Sequence, residues 1–197
     1  MGLIVTPALV IRRADYSDYD RMVTLFSPEM GRIDAIARGC RRPKSPLVNA
    51  VEPFTSGEFQ LYERRDRFTL EQCTISEDYY ALRTDYDKLC HGVYWLKLLD
   101  QAILPDTPMP RLFITTLRAL AHLNWGELPP ALVTMAFEMH FMALNGFAPQ
   151  STFSTPRRIS PIERNSFSTC FPKLTNRCFL LTQFNIQPVF QTLILCT

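Results

Sequence analysis

The acidic triplet Asp15, Asp18 and Asp20 is the first place in this 197-residue chain where chemistry is conceivable. Closely spaced carboxylates can hold Mg²⁺, the ion that many enzymes use against phosphodiesters. No matching ligands recur elsewhere, and the triplet reads equally well as an exposed loop. The histidines His91, His122 and His140 all fall in segments of helical period, none at metal-ligand spacing from another. The cysteines Cys40, Cys73, Cys90, Cys170, Cys178 and Cys196 form no C-x-x-C pair, so a zinc ribbon has no support. No P-loop, G-x-S-x-G elbow or H-E-x-x-H helix occurs. The residue types therefore predict no catalytic group, metal or cofactor, with a metal-dependent nuclease on the acidic triplet as the one enzymatic alternative.

Binding chemistry is better supplied. The run "ARGCRRPKSPL", from Ala37 to Leu47, is the densest cationic stretch in the chain. The net charge is only +2, but residues 32–44 carry five basic side chains against one acidic, and residues 45–80 carry three against seven. A chain that is neutral in total thus presents separate cationic regions, and those regions are what attract a polyanion. Arg38, Arg41, Arg42 and Lys44 supply the charge, and Arg12, Arg13 and Arg32 are candidates for the same rim. Tyr16, Tyr19 and Phe54 are nearby rings for stacking on bases. Composition alone leaves a second reading open, in which the run is a solvated loop.

The elements that carry these residues change character along the chain. Over the first eighty residues, "PALVIRRADY", "DRMVTLFS", "RIDAIARG", "EFQLYER" and "RFTLEQC" read as strands, with a "SPEMG" turn at Ser27–Gly31. Such segments predict a small β-barrel or sandwich. From about Asp85 the period becomes helical. A capping box from Thr84 to Asp87 opens one helix that stops at Pro105, and Pro110 opens a second. Pro129 and Pro130 open a third, apolar nearly all round and expected to lie buried between its neighbours. The last 47 residues hold twelve Ser or Thr and a single acid, with no clear period. Arg12, Arg13 and Asp15 interrupt any signal-peptide core, and the longest apolar run is too short to span a bilayer. The expectation is a soluble, reduced, intracellular protein.

Beyond composition, "ALVIRRADYSDYDRMVTLFSPEMGRIDAIARGCRRPKS" followed by "VEPFTSGEFQLYERRD" resembles the N-terminal domain of the bacterial recombination mediator family RecO. The "MVTLFSPEMG" hairpin, the "ARGCRRPKS" loop and the "EPF" strand start stand in that family's order. The similarity continues more loosely through "YWLKLLDQAILPDTPMPRLF" and "FEMHFMALNGFAPQ", covering roughly residues 3–150.

The resemblance implies an α+β chain: an OB-fold β-barrel over residues 1–80, then an all-helical domain over 81–150. It implies a cytoplasmic, nucleoid-associated protein of DNA repair. Such a protein binds single- and double-stranded DNA and anneals strands. It also helps load recombinase onto strands coated with single-strand-binding protein, together with a RecR-like partner. Carried over residue by residue, the family's basic loop falls on Arg38, Arg41, Arg42, Lys44 and Ser45, with Arg12 and Arg32 on strands where the family is often basic. The tail, 151–197, departs from the pattern: the four-cysteine zinc segment of many members is missing. This reads as a disordered or frame-shifted segment. An interaction scaffold without DNA contact is the alternative from another class.

Overall fold

The computed structural model describes residues 2–65 and 67–147. The strands are β1 (Gly2–Asp15), β2 (Arg21–Ser27), β3 (Gly31–Ala37), β4 (Ser56–Arg64) and β5 (Arg67–Glu77). They close in the order β1-β2-β3-β5-β4, with β1 pairing back onto β4. This is the Greek-key order of an OB-fold. Closure is uneven. The first half of β1 pairs with β4 over eight positions, whereas the parallel β3–β5 seam is held by three pairs only, Ala35 to Ala37 against Phe68 to Leu70.

The strand segments form where branched and aromatic residues fit a pleated, packed surface. β3 alternates cleanly, sending Ile33, Ala35 and Ala37 inward. β1 and β2 do not alternate in burial: Ala8, Leu9, Val10 and Ile11 are all buried, as are Val23, Thr24, Leu25 and Phe26. One face of each strand fills the barrel with Ala8, Val10, Val23 and Leu25. The other face packs Leu9, Ile11 and Phe26 against the helices. Burial on both faces requires a nearly continuous apolar run, which is what "PALVI" and "MVTLF" supply.

Among the described residues four helices follow: α1 (Tyr80–Thr84), α2 (Tyr86–Ala102), α3 (Pro110–Trp125) and α4 (Pro130–Leu144). The N-cap of α2 is Asp85, whose carboxylate accepts from the Asp87 and Lys88 amides. The expected box at Thr84 is therefore displaced by one residue, and the Thr84 hydroxyl instead donates to the Ala81 carbonyl. Pro110 and Pro130 open α3 and α4, where a missing N–H costs nothing. Trp95 stacks on Phe137 at 4.5 Å, and its indole N–H donates to the Thr134 hydroxyl at 3.2 Å. Phe113 meets Phe26 edge-on at 5.4 Å, joining α3 to β2.

α4 differs from its sequence expectation. It buries one face, through Val133, Ala136 and Phe137, while Met139, Met142 and Leu144 stand exposed. An all-apolar sequence shows no amphipathic stripe and so hides which side is covered. The tail assigned to residues 151–197 lies outside the described residues.

The "SPEMG" turn docks onto the connection between α2 and α3. The Arg32 amide donates to the Leu104 carbonyl at 3.1 Å, and the Met109 amide donates to that of Pro28 at 2.9 Å. Gly31 has φ +66°, and a Cβ there would stand 2.4 Å from the Leu104 oxygen and 2.6 Å from that of Thr107. Both backbone conformation and space demand glycine. Gly31→Ala is expected to lower the unfolding free energy by at least about 2 kcal/mol, because the left-handed conformation alone costs about 1–2 kcal/mol. Urea unfolding monitored by tryptophan fluorescence checks this, and an unchanged midpoint would contradict the close approach.

Candidate nucleic-acid interface

After β3 the chain turns repeatedly from Arg38 to Thr55 before entering β4. Cys40, Leu47, Ala50 and Val51 from this segment are buried in the barrel core and plug its end. Cys40 is thus a packing residue, and burial pushes its thiol pKa up, away from the reactive thiolate. With these residues buried, the charged ones between them face out: Arg38, Arg41, Arg42 and Lys44 are all exposed. The Ser45 hydroxyl accepts from the Leu47 amide at 3.3 Å, and so shapes the turn leading into the plug.

This loop is tied to the β1–β2 connection, residues 16–20. The Gly39 amide donates to the Asp20 carboxylate at 2.8 Å, and the Arg41 amide donates to the Tyr19 carbonyl at 3.1 Å. The Gly39 N–H is the main cause holding the Asp20 carboxyl below its ordinary value, with Arg38 and Arg42 adding to the effect. Arg41 reaches Asp15 at 3.5 Å and the Ser17 carbonyl at 3.4 Å. The Arg42 guanidinium lies 5.4 Å from the centre of the Tyr19 ring, within cation–π range. Two loops distant in sequence thereby form one platform carrying Arg38, Arg42 and Lys44, with Tyr16 and Tyr19 exposed beside them.

The other sequence candidates separate from this platform. Arg12 and Arg32 both pair with Asp100 at the end of α2, at 3.6 and 3.0 Å, and Arg32 also holds Asp34. Arg13 pairs with Glu52, which Arg21 also contacts. Arg12 and Arg32 thus join the barrel to α2, whereas Arg13 is held by the segment between β3 and β4. Phe54, read from sequence as a ring for bases, is buried at 3% exposure against Gly92 of α2. The aspartates of the triplet do not converge. Asp15 pairs with Arg21 and Arg41, Asp20 holds Gly39, and among the described residues no group of three acidic, His or Cys side chains could hold a metal ion. His91 Nδ1 is hydrogen-bonded with the Thr134 hydroxyl at 2.8 Å, as part of the helical packing.

Sequence reasoning missed Asp20 as the anchor of the basic loop, and Asp100 and Glu52 as the acids that neutralise Arg12, Arg13 and Arg32. Each acts across tens of residues, with no local signal.

A closed five-stranded OB barrel, backed by helices and bearing a tyrosine–arginine platform at one end, belongs to the class of OB-fold proteins with a cationic loop surface. Comparison with known proteins narrows that class. The family model "Recombination protein O N terminal" matches residues 1–79, and "Recombination protein O C terminal" matches residues 83–168. The chain belongs to the RecO family. It is similar to the DNA repair protein RecO of Acetivibrio thermocellus, 31% identical over 149 residues, which is 76% of this chain and 59% of that protein. The corresponding protein of Alkaliphilus metalliredigens is 33% identical over 150 residues, with 76% and 61% covered. That of Desulfitobacterium hafniense is 36% identical over 150 residues, with 76% and 54% covered. The matched part spans little more than half the length of these relatives.

Asp20→Ala is expected to speed hydrogen exchange at the Gly39 and Arg41 amides while leaving β1–β2 ladder amides protected. The sign with pH follows from the lowered carboxyl pKa. The anchoring is complete above the ordinary value of 3.8 and is lost only as pH falls through the lower, folded-state value. Equal exchange at Gly39 in variant and parent would remove Asp20 from the anchor.

Proposed function

We propose that this chain is a DNA-binding recombination mediator with no chemistry of its own, holding the backbones of single- and double-stranded DNA at the platform made by residues 16–20 and 38–44. One observation carries this reading. Of the basic residues on the barrel, Arg38, Arg42 and Lys44 are gathered on an anchored surface beside exposed tyrosines, whereas Arg12, Arg13, Arg21, Arg32 and Arg41 are paired with carboxylates. Unpaired guanidinium and ammonium groups neutralise phosphates and release counterions. Ring faces such as those of Tyr16 and Tyr19 stack on bases without regard to sequence. Arg42 lies over the Tyr19 ring and the tyrosine stays exposed, so cation and ring are presented together.

Neutralising two backbones at once lowers their mutual repulsion, which is the physical requirement for annealing complementary strands. Membership of the RecO family supports action with a RecR-like partner on DNA coated with single-strand-binding protein, promoting recombinase loading. The RecO relatives are named as DNA repair proteins, and the same role is proposed for this chain. Among the described residues no helix is long and apolar enough to cross a membrane.

The alternative, an interaction scaffold without DNA contact, draws on the exposed Met139, Met142 and Leu144 of α4. Filter binding of a labelled single strand across a salt series separates the two readings. The variant R38A/R42A/K44A is expected to reduce the slope of log affinity against log salt by about two units, at roughly 0.7 per lost single-strand phosphate contact. Loss of affinity should be uniform across sequences, because phosphate contacts carry no sequence information. By contrast, Arg32→Ala should leave the slope unchanged and lower stability, since its charge is spent on Asp34 and Asp100. A salt slope that the triple variant leaves intact would move the site elsewhere, and a parent chain that retains no strand would favour the scaffold.

A further inference from the structure

The outer side of β1 changes its surroundings partway along the strand. Leu9 and Ile11 pack against the helices, but Pro7, Val5 and Leu3, the preceding residues on that side, are exposed. Leu3 is 59% and Val5 48% exposed, while Thr6 and Ala8, which alternate with them, are buried. The strand register sets their neighbours. Leu3 pairs with Tyr62 of β4, Val5 with Gln60 and Pro7 with Glu58. Tyr62 pairs in turn with Thr69 of β5, Gln60 with Gln72 and Glu58 with Thr74. Because successive residues of a strand face opposite ways, these side chains share the outer face of one three-stranded sheet. Leu3, Val5 and Tyr62 make its centre apolar, and Tyr62 too is exposed, at 39%. Contiguous apolar side chains left on a folded surface mark a contact with another molecule.

Charge decides which molecule. Along the outer side of β4 the order is Glu58, Gln60, Tyr62, Arg64, with an acid at one end and a cation at the other. Among the described residues neither Glu58 nor Arg64 is ion-paired. Arg67 lies opposite Arg64 on β5 and adds to the cationic end. A nucleic-acid strand fits this face poorly, since its centre holds no cation and Glu58 would repel phosphates.

The face is complementary to its own copy turned end for end. Glu58 and Arg64 are six residues apart, about 20 Å at the usual strand rise. A two-fold axis lying between two facing sheets, and crossing β4 at Leu61, sets Glu58 of each copy over Arg64 of the other. The same rotation sets Leu3 over Val5 and Tyr62 over Gln60, so apolar and neutral side chains meet at the centre. Sheets that pack face to face in this way lie about 10 Å apart, a gap that such side chains fill.

We propose that the outer face of β1, β4 and β5, centred on Leu3, Val5 and Tyr62, docks a second copy of this chain, with two Glu58–Arg64 pairs flanking an apolar centre. An isologous contact of this kind closes on itself and stops at two chains. It does not depend on the DNA-binding reading. The loop at residues 16–20 follows the opposite end of β1 from Leu3, so each copy keeps its own platform.

Sedimentation velocity of the full chain over a concentration series tests the face. The parent should pass from one chain mass to two as concentration rises. V5E places a carboxylate at the apolar centre without a partner and should hold the chain at one mass. E58R and R64E each bring like charges together twice, and each should weaken dimerisation by roughly tenfold or more. E58R/R64E restores opposite pairs and should dimerise like the parent, a rescue that a folding defect would not give. All four substitutions lie on the solvent side of the sheet, so thermal unfolding of the dilute variants should match that of the parent. A parent of one chain mass at every concentration overturns the proposal and leaves the face to a different protein. A dimer that V5E and both single reversals leave intact overturns it as well, as does a double variant no better than its singles.

Discussion

The two-sided burial of β1 and β2 is the constraint from which the rest of the fold follows. These strands are at once the wall of the barrel and the floor beneath the helices, with Val10 and Leu25 facing one core and Leu9 and Phe26 the other. A sheet face carrying Leu9, Ile11 and Phe26 would be insoluble if uncovered, so the helical segment is part of the barrel's stability. The polar rim of the same contact is Asp100, which gathers Arg12 and Arg32 where the apolar contact ends. Charge at this seam is therefore committed to structure, and cations available to a ligand must lie elsewhere on the barrel.

That division between committed and available charge gives the candidate interface its meaning. Sequence composition treats all arginines alike. In the folded chain they separate by whether a carboxylate from a distant segment reaches them. The 38–44 loop keeps its cations because the segment plugs the barrel through Cys40, Leu47, Ala50 and Val51, forcing the intervening charged residues outward. Anchoring to Asp20 and Tyr19 then limits the freedom that a ligand would otherwise have to remove.

Much of the architecture was legible in the chain. The strands announced themselves through branched residues and turns, and Pro110 and Pro130 marked helix starts because their local chemistry suffices. The basic loop was legible for the same reason. What was hidden depended on partners far apart in sequence. Phe54 looked like a surface ring beside a basic loop, yet it fills the space left by Gly92, thirty-eight residues on. Arg12, Arg13 and Arg32 looked available until Asp100 and Glu52 arrived by folding. The covered side of α4 was unreadable because an all-apolar helix has no stripe to point with.

The β3–β5 seam, with its three residue pairs, acts mechanically as the clasp of a hoop. The remainder of the ring is joined by longer antiparallel ladders, so local opening begins at the clasp. The segment from Arg38 to Thr55 that plugs the barrel end leaves directly from one lip of this clasp, after Ala37. Loosening the plug would therefore be felt first at the joint with the fewest bonds.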